Sequence, residues 1–194
     1  GSSDGTAAAV MELLPHDPRL RLLRHPENRG KGAALATGVD ATPTDLVVFL
    51  DADLLGLEHR HIQALIEPVR KGDCLMSLGI FSRGRSATDL PQRVFPGLTG
   101  QRCLRWSRLG DVPGLSAARY GAEVVLNRHI RRMGFPVQPV AWSGVSHRTK
   151  YEKRGARSGF GGYLRMYLEV LRWLAAETHN PRAAEPARLR AEGL

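Results

Sequence analysis

An α/β fold with mainly parallel strands flanked by helices is predicted from three observations. Apolar strand-like runs alternate with helical stretches over the first half of the chain, as they do in βαβ units. The run Leu46-Val47-Val48-Phe49-Leu50 is continuous rather than alternating, the signature of a strand buried on both faces of a parallel sheet. It ends in Asp51-Ala52-Asp53, and in open α/β sheets ligands gather at the carboxyl ends of strands.

The elements follow in order. Ser3-Asp4-Gly5-Thr6 offers capping groups before Ala7–Leu14, an Ala/Leu-rich helix ended by Pro15. Leu20–Arg24, between Pro18 and Pro26, is short and apolar enough for a strand. A loop at Glu27–Gly32 leads into a helix at Ala33–Val39, and a further helix runs from about Glu58 to Val69, broken at Lys71-Gly72. Cys74–Phe81 reads as a strand, and Ser82–Pro96, with Gly84, Pro91 and Pro96, as a mobile loop on the substrate side. Gln101–Ser107 and Ala122–Met133 read as helices and Val137–Trp142 as a strand. Phe160–Glu177 is an amphipathic helix with Leu164, Tyr167, Leu168, Leu171 and Leu174 at helical spacing, followed by a frayed tail.

Composition narrows the function. With 194 residues, 42% of them hydrophobic, the chain has the balance of one soluble domain, at about 150 residues per domain. Two cysteines, Cys74 and Cys103, make no disulfide framework, so buried free thiols and a cytoplasmic setting are expected. No apolar run approaches the roughly 20 residues of a membrane span. Lys and Arg number 28 against 19 Asp and Glu, a formal charge of +9, but aromatics are 6% and no nucleic-acid-binding motif is present. The charge gathers late, at Arg148, Lys150, Lys153, Arg154 and Arg157, which suits a phosphorylated small molecule or an anionic membrane surface better than a polynucleotide.

Two local patterns carry chemistry. The carboxylates of Asp51 and Asp53 emerge together and repel by roughly 1 to 4 kcal/mol unless a cation or protons relieve them. Their hard oxygens suit Mg²⁺ or Mn²⁺, with substrate phosphates completing the shell; the alternative is that one of them caps the next helix. The Gly30-Lys31-Gly32 turn at a helix start can offer backbone N–H groups and an ammonium to a phosphate, although such a turn is also a common structural device. It is neither a Walker A loop nor a dinucleotide fingerprint.

Taken together, Gly1-Ser2-Ser3-Asp4-Gly5-Thr6, Asn28-Arg29-Gly30-Lys31-Gly32-Ala33-Ala34-Leu35 and Leu46–Asp53 resemble the nucleotide-sugar half of GT-A glycosyltransferases of the family 2 type. Gly97-Leu98-Thr99-Gly100-Gln101-Arg102, Tyr120-Gly121-Ala122-Glu123 and Val145-Ser146-His147-Arg148 are similar to the acceptor loop, the GYGxE segment and the late histidine segment of its glucosyl-3-phosphoglycerate synthase branch. The resemblance implies a GT-A, Rossmann-like fold and a metal-dependent transfer of sugar from a UDP- or GDP-linked donor to a small acidic acceptor of glycerate or phosphoglycerate type. A retaining outcome is implied. It places Asp51, Asp53 and His147 on the metal, and Asp4, Gly5, Gly30, Lys31, Gly32 and Asp51 on the donor. Gly100, Gln101, Arg102 and Glu123 fall on the acceptor, where Arg102 could grip a carboxylate or phosphate bidentately. Lys31 and Arg148 become electrophilic stabilisers of the leaving diphosphate. Glu123 becomes a general base if the reaction inverts and an acceptor holder if it retains; an ordinary helix-surface carboxylate is its structural alternative.

The same resemblance divides the chain into a nucleotide-sugar half at 1–81, an acceptor half at 82–159 and a C-terminal helix and tail at 160–194. It also puts the family's first strand and aspartate-rich turn before residue 1. The chain is therefore expected to be truncated there, the competing reading being a vector-derived Gly1-Ser2. Two rival functions remain: an inverting transferase acting on a lipid-phosphate or cell-envelope acceptor at a membrane surface, and a non-catalytic nucleotide-sugar-binding module. The apolar face of Phe160–Glu177 is expected on the core or on a second copy of the chain, or, in the first rival, on a membrane.

Overall fold

The helices form where capping and periodicity place them. In the computed structural model, which describes residues 1–82 and 96–147, α1 covers Thr6–Leu13 and continues into a 3₁₀ turn at Leu14–His16 that holds Pro15. Helix α2 spans Lys31–Asp40 and α3 His59–Lys71. Glu58 and His61 cap each other's backbone at the start of α3, and Gly72 ends it at φ 86°, a left-handed conformation that favours glycine. Helix α4, Ala122–Arg132, follows Gly121.

Strands β1 (Leu46–Phe49), β3 (Met76–Ser82), β4 (Arg102–Arg105) and β5 (Val137–Ser143) form one sheet in the order β1-β4-β3-β5. Strand β3 is parallel to β5, pairing Met76 with Val137 through Ser82 with Ser143. Strand β4 runs antiparallel between β1 and β3, with Phe49 opposite Arg102 and Met76 opposite Leu104. The expected mainly parallel sheet is thus mixed. Pro139 is tolerated because β5 stands at an edge of the described sheet. The two-residue strands β2 (Leu54–Leu55) and β6 (Ser146–His147) make a separate ladder.

Alternation along the strands divides the core into two layers. Phe49, Met76, Leu78 and Leu104 pack with Val39, Leu126 and Ile130 under α2 and α4. On the other face, Phe81, Cys103 and Trp142 pack with Leu65 and Val69 of α3. Cys74 and Cys103 are free and buried, and burial pushes the Cys103 thiol up to about 12.

Three expectations need correction. Gln101–Ser107 is not a helix: it contains β4 and a 3₁₀ turn at Trp106–Arg108, because residues 102–104 are buried between β1 and β3. Leu20–Arg24 joins no ladder among the described residues, and Leu20 and Leu23 remain 43% and 45% exposed. Strand β1 is an edge strand of the described sheet rather than one buried on both faces; only Phe49 of its four residues is buried. Of the loop expected at Ser82–Pro96, Ser82 ends β3 and Pro96 opens a 3₁₀ turn at Pro96–Leu98, while 83–95 and the whole of 148–194, with Phe160–Glu177 and the basic cluster from Arg148 to Arg157, lie outside the described residues. Among the described residues no helix is long and apolar enough to cross a membrane.

Candidate active site

Strand β1 ends so that Asp51 meets groups from two other parts of the chain. Its Oδ1 lies 2.8 Å from Lys31 Nζ at the start of α2, and its Oδ2 accepts from Gln101 Nε2 at 2.8 Å. Lys31 Nζ is also 2.6 Å from Glu123 Oε1, in the first turn of α4, where the helix dipole favours a carboxylate. Burial alone would push the Lys31 ammonium down, but Glu123 and Asp51 outweigh it and hold its pKa above the ordinary lysine value. Gly100 makes room for this arrangement, since a Cβ there would overlap the Asp51 carboxylate. Gln101 is itself oriented by the hydroxyl of Thr99, which lies in the segment similar to the acceptor loop but has no role assigned from sequence.

Arg102, expected to grip the acceptor, is turned into the protein interior. It is 1% exposed, and its guanidinium donates to the carbonyls of Thr99 at 2.5 Å, Gly97 at 3.3 Å and Glu123 at 3.4 Å, and to Asn127 Oδ1 at 3.3 Å. Burial lowers its pKa to about 10, with Glu123 and Asp51 partly restoring it. The side chain therefore braces the 97–101 loop from beneath while balancing the carboxylates above. Asn127, also missed by sequence, ties α4 to the same loop through Gly97 O at 2.6 Å.

The Gly30-Lys31-Gly32 turn also departs from its expected role. Lys31 N–H donates to Arg119 O and Gly32 N–H to Ala118 O, both at 2.9 Å, while Gly30 N–H donates to Asn28 Oδ1 at 2.9 Å. All three amides are occupied within the protein, so they form no ready phosphate cradle. The glycines serve packing instead: at Gly30 and Gly32 a Cβ would collide with the 115–119 segment, and Gly30 sits at φ 90°. Only the Asn28-x-Gly30 spacing signals this turn in sequence, and nothing local signals Arg119. At the N-terminus, Asp4 Oδ1 accepts from the Thr6 amide at 3.1 Å and the Thr6 hydroxyl at 2.5 Å, fixing the start of α1. Gly5 precedes that helix, with open space at its α-carbon.

Asp53 and His147 are brought together across 94 residues of sequence: His147 Nδ1 lies 3.2 Å from Asp53 Oδ1. The pairing of Leu54 with His147 in the β2–β6 ladder sets this register, and the Phe81 ring packs on the imidazole with centroids 4.9 Å apart. The pair is partly exposed, with 32% of the Asp53 and 25% of the His147 side chain accessible. Asp51 does not come together with Asp53 and His147 in the expected metal trio; its oxygens meet Lys31 and Gln101 instead. Among the described residues no group of three or more His, Cys, Asp and Glu side chains could hold a metal ion. Two ligands nevertheless fit a divalent cation of the Mg²⁺ type, which is commonly held by one or two protein groups with substrate phosphates and water. Metal–oxygen bonds of about 2.1 Å place neighbouring octahedral ligands about 3 Å apart, close to the observed separation. Arg148 lies outside the described residues.

Comparison with known proteins agrees with this architecture. Residues 1–126 match the family model described as glycosyl transferase family 2. Glucosyl-3-phosphoglycerate synthase from Mycobacterium tuberculosis, solved with Mn²⁺, UDP-glucose and phosphoglyceric acid, superposes with a TM-score of 0.61 at 20% identity over 94% of this chain and 68% of that one. Its structure with Mg²⁺ and UDP gives a TM-score of 0.61, again at 20% identity, over 94% of this chain and 67% of that one. These likenesses establish the fold. A dolichyl-phosphate beta-glucosyltransferase from Trichomonas vaginalis is 42% identical over 53 residues, a stretch that is 27% of this chain and 16% of that protein.

Proposed function

The chain belongs to glycosyl transferase family 2, and on that premise we propose that it transfers a sugar from a UDP- or GDP-linked donor to a small acidic or phosphorylated acceptor. The observation that carries the proposal is the joining of Asp53 to His147 beside the Lys31–Asp51–Glu123 cluster at the end of β1. In this reading residues 1–81 take the donor and 82–159 the acceptor. The solved neighbours that hold UDP, Mn²⁺ or Mg²⁺ and phosphoglyceric acid support the substrate class.

In such a transfer the bond from the anomeric carbon to the diphosphate oxygen breaks, an acceptor oxygen bonds to that carbon, and the proton of the acceptor hydroxyl passes to the departing diphosphate oxygen. Asp53 and His147 would hold the divalent cation, which supplies positive charge to the departing diphosphate. Lys31 is 35% exposed at its side chain and can exchange part of its contact with Asp51 for a phosphate oxygen. Glu123 remains the tether of that ammonium. A carboxylate 2.6 Å from an ammonium is a weak general base, which favours the retaining outcome, in which no enzyme carboxylate need take the acceptor proton.

Calorimetric titration of UDP- and GDP-sugars in the presence of Mn²⁺ tests the proposal. Binding that depends on the cation and vanishes in Asp53→Ala supports it, and equal binding by that variant rejects it. The partial match to a dolichyl-phosphate beta-glucosyltransferase favours a second reading, with a lipid phosphate as acceptor. Transfer to a short-chain polyprenyl phosphate but not to phosphoglycerate would select it.

A further inference from the structure

The side of α4 turned away from the candidate active site carries another concave surface. At 100° per residue, Glu123 and Asn127 lie on one side of the helix, whereas Val125, Arg128, His129 and Arg132 centre about 170° round from them. Those four residues and Pro113 line an open pocket of about 100 Å³. Buried Val125 gives it an apolar floor, and Pro113 forms a wall. His129 fixes the segment that carries this wall by donating from Nε2 to Leu109 O at 2.9 Å.

Arginines of the described surface divide into those that meet carboxylates and those, Arg21, Arg24, Arg29, Arg108, Arg119 and Arg131 among them, that do not, so it is the shared concave surface rather than the lack of a partner that sets this pocket apart. Arg19, Arg60, Arg70 and Arg105 each meet a carboxylate. Arg128 and Arg132, one turn apart and therefore neighbours on the helix surface, have no ion-pair partner among the described residues. Two guanidiniums on an apolar rim repel each other, and an anion between them removes that cost. Basic residues in a last helical turn are commonly explained by the dipole, and that accounts for His129, Arg131 and Arg132 but not for Arg128. Arg128 is half-buried, one turn further in.

We propose that this pocket is a binding site for a phosphate monoester. Arg128 and Arg132 supply guanidinium donors to the phosphate oxygens, and Val125 and Pro113 contact the first carbons attached to it. The site stands apart from the donor and acceptor positions of the transfer reaction and does not depend on that reading. Its ligand chemistry is shared by soluble phosphorylated metabolites and by a phosphatidic acid headgroup.

The ¹⁵N-labelled 194-residue chain can be titrated with inorganic phosphate and propyl phosphate, with chloride at matched ionic strength as reference. Saturable shifts centred on residues 128, 129 and 132 are expected, tighter for propyl phosphate and weakened at least tenfold in R128Q/R132Q. The R131Q variant removes the same charge outside the pocket and should leave the midpoint unchanged. Shifts that do not saturate, that chloride reproduces, that persist in R128Q/R132Q, or that R131Q weakens as strongly as R132Q would each overturn the proposal. Sedimentation with phosphatidylcholine vesicles, with and without phosphatidic acid, separates the two sources. Binding to phosphatidic acid that R128Q/R132Q abolishes identifies a headgroup; its absence beside a saturable propyl phosphate response identifies a soluble ligand.

Discussion

Two acidic positions only two residues apart occupy different electrostatic situations. Asp51 is closed: Lys31 and Gln101 take its oxygens, Glu123 shares the lysine, and Arg102 stands beneath as the second cation. Asp53 meets His147 at a partly exposed surface. The first arrangement is balanced within the protein, two cations against two carboxylates. The second joins a carboxylate and an imidazole, two group types that bind divalent cations. A pair of carboxylates at a strand end therefore need not act as one unit; here the two meet different partners, Lys31 and Gln101 for Asp51 and His147 for Asp53.

The sharpest way to break the closed half is to remove its buried cation. Arg102→Ala leaves Asp51 and Glu123 undercompensated and several loop carbonyls without donors, at a cost of about 3 to 5 kcal/mol. At about 2 to 4 °C per kcal/mol for a chain of this size, the melting temperature should fall by roughly 10 °C or more in calorimetry. A fall under about 2 °C would mean that Arg102 is not the brace its contacts suggest.

The second position should respond in the opposite sense. Asp53→Ala is expected to weaken Mn²⁺-dependent donor binding by about 100-fold or more, while changing stability by no more than about 0.5 kcal/mol, as at other sites away from the core. Calorimetric titration and thermal melting together check this separation. A large stability loss in Asp53→Ala would erase the distinction between the two positions. Gly100→Ala tests the boundary between them: its methyl would displace the Asp51 carboxylate and cost about 1 to 3 kcal/mol by chemical denaturation, with Mn²⁺ binding at Asp53 retained.

The sequence made one of these situations easier to see than the other. Helices α2, α3 and α4 and strands β1, β3 and β5 follow from capping groups and apolar periodicity, which are local. Strand β4 was mistaken for helix because Arg102, a charged residue, occupies a core position and disguises the apolar pattern. The β2–β6 ladder is only two residues long on each side, too short for any periodicity, yet it joins Asp53 to His147. That histidine was identified by resemblance rather than by spacing. The occupied amides of the Gly30–Gly32 turn depend on carbonyls at Ala118 and Arg119, far along the chain and with no side-chain signature.

The smallest expected effect concerns the lysine that links the two carboxylates of the closed half. Because its pKa is raised in the folded chain, Lys31 contributes stability that is fully present below the ordinary lysine value of about 10.5. The contribution is lost as pH rises through the raised folded value, since above 10.5 the unfolded chain releases its proton first. Solvent reaches the side chain, so the difference is expected to be under about 1 kcal/mol. Urea midpoints of the native chain and Lys31→Met should therefore differ most near pH 8 and converge above the folded pKa. Arg102 titrates in the same alkaline range with the opposite sign, its depressed pKa relieving a burial cost as the proton leaves. It is present in both proteins and cancels in their difference. A gap between the midpoints that stays constant from pH 8 into that range would show that Lys31 supports the cluster through packing of its alkyl chain rather than through charge.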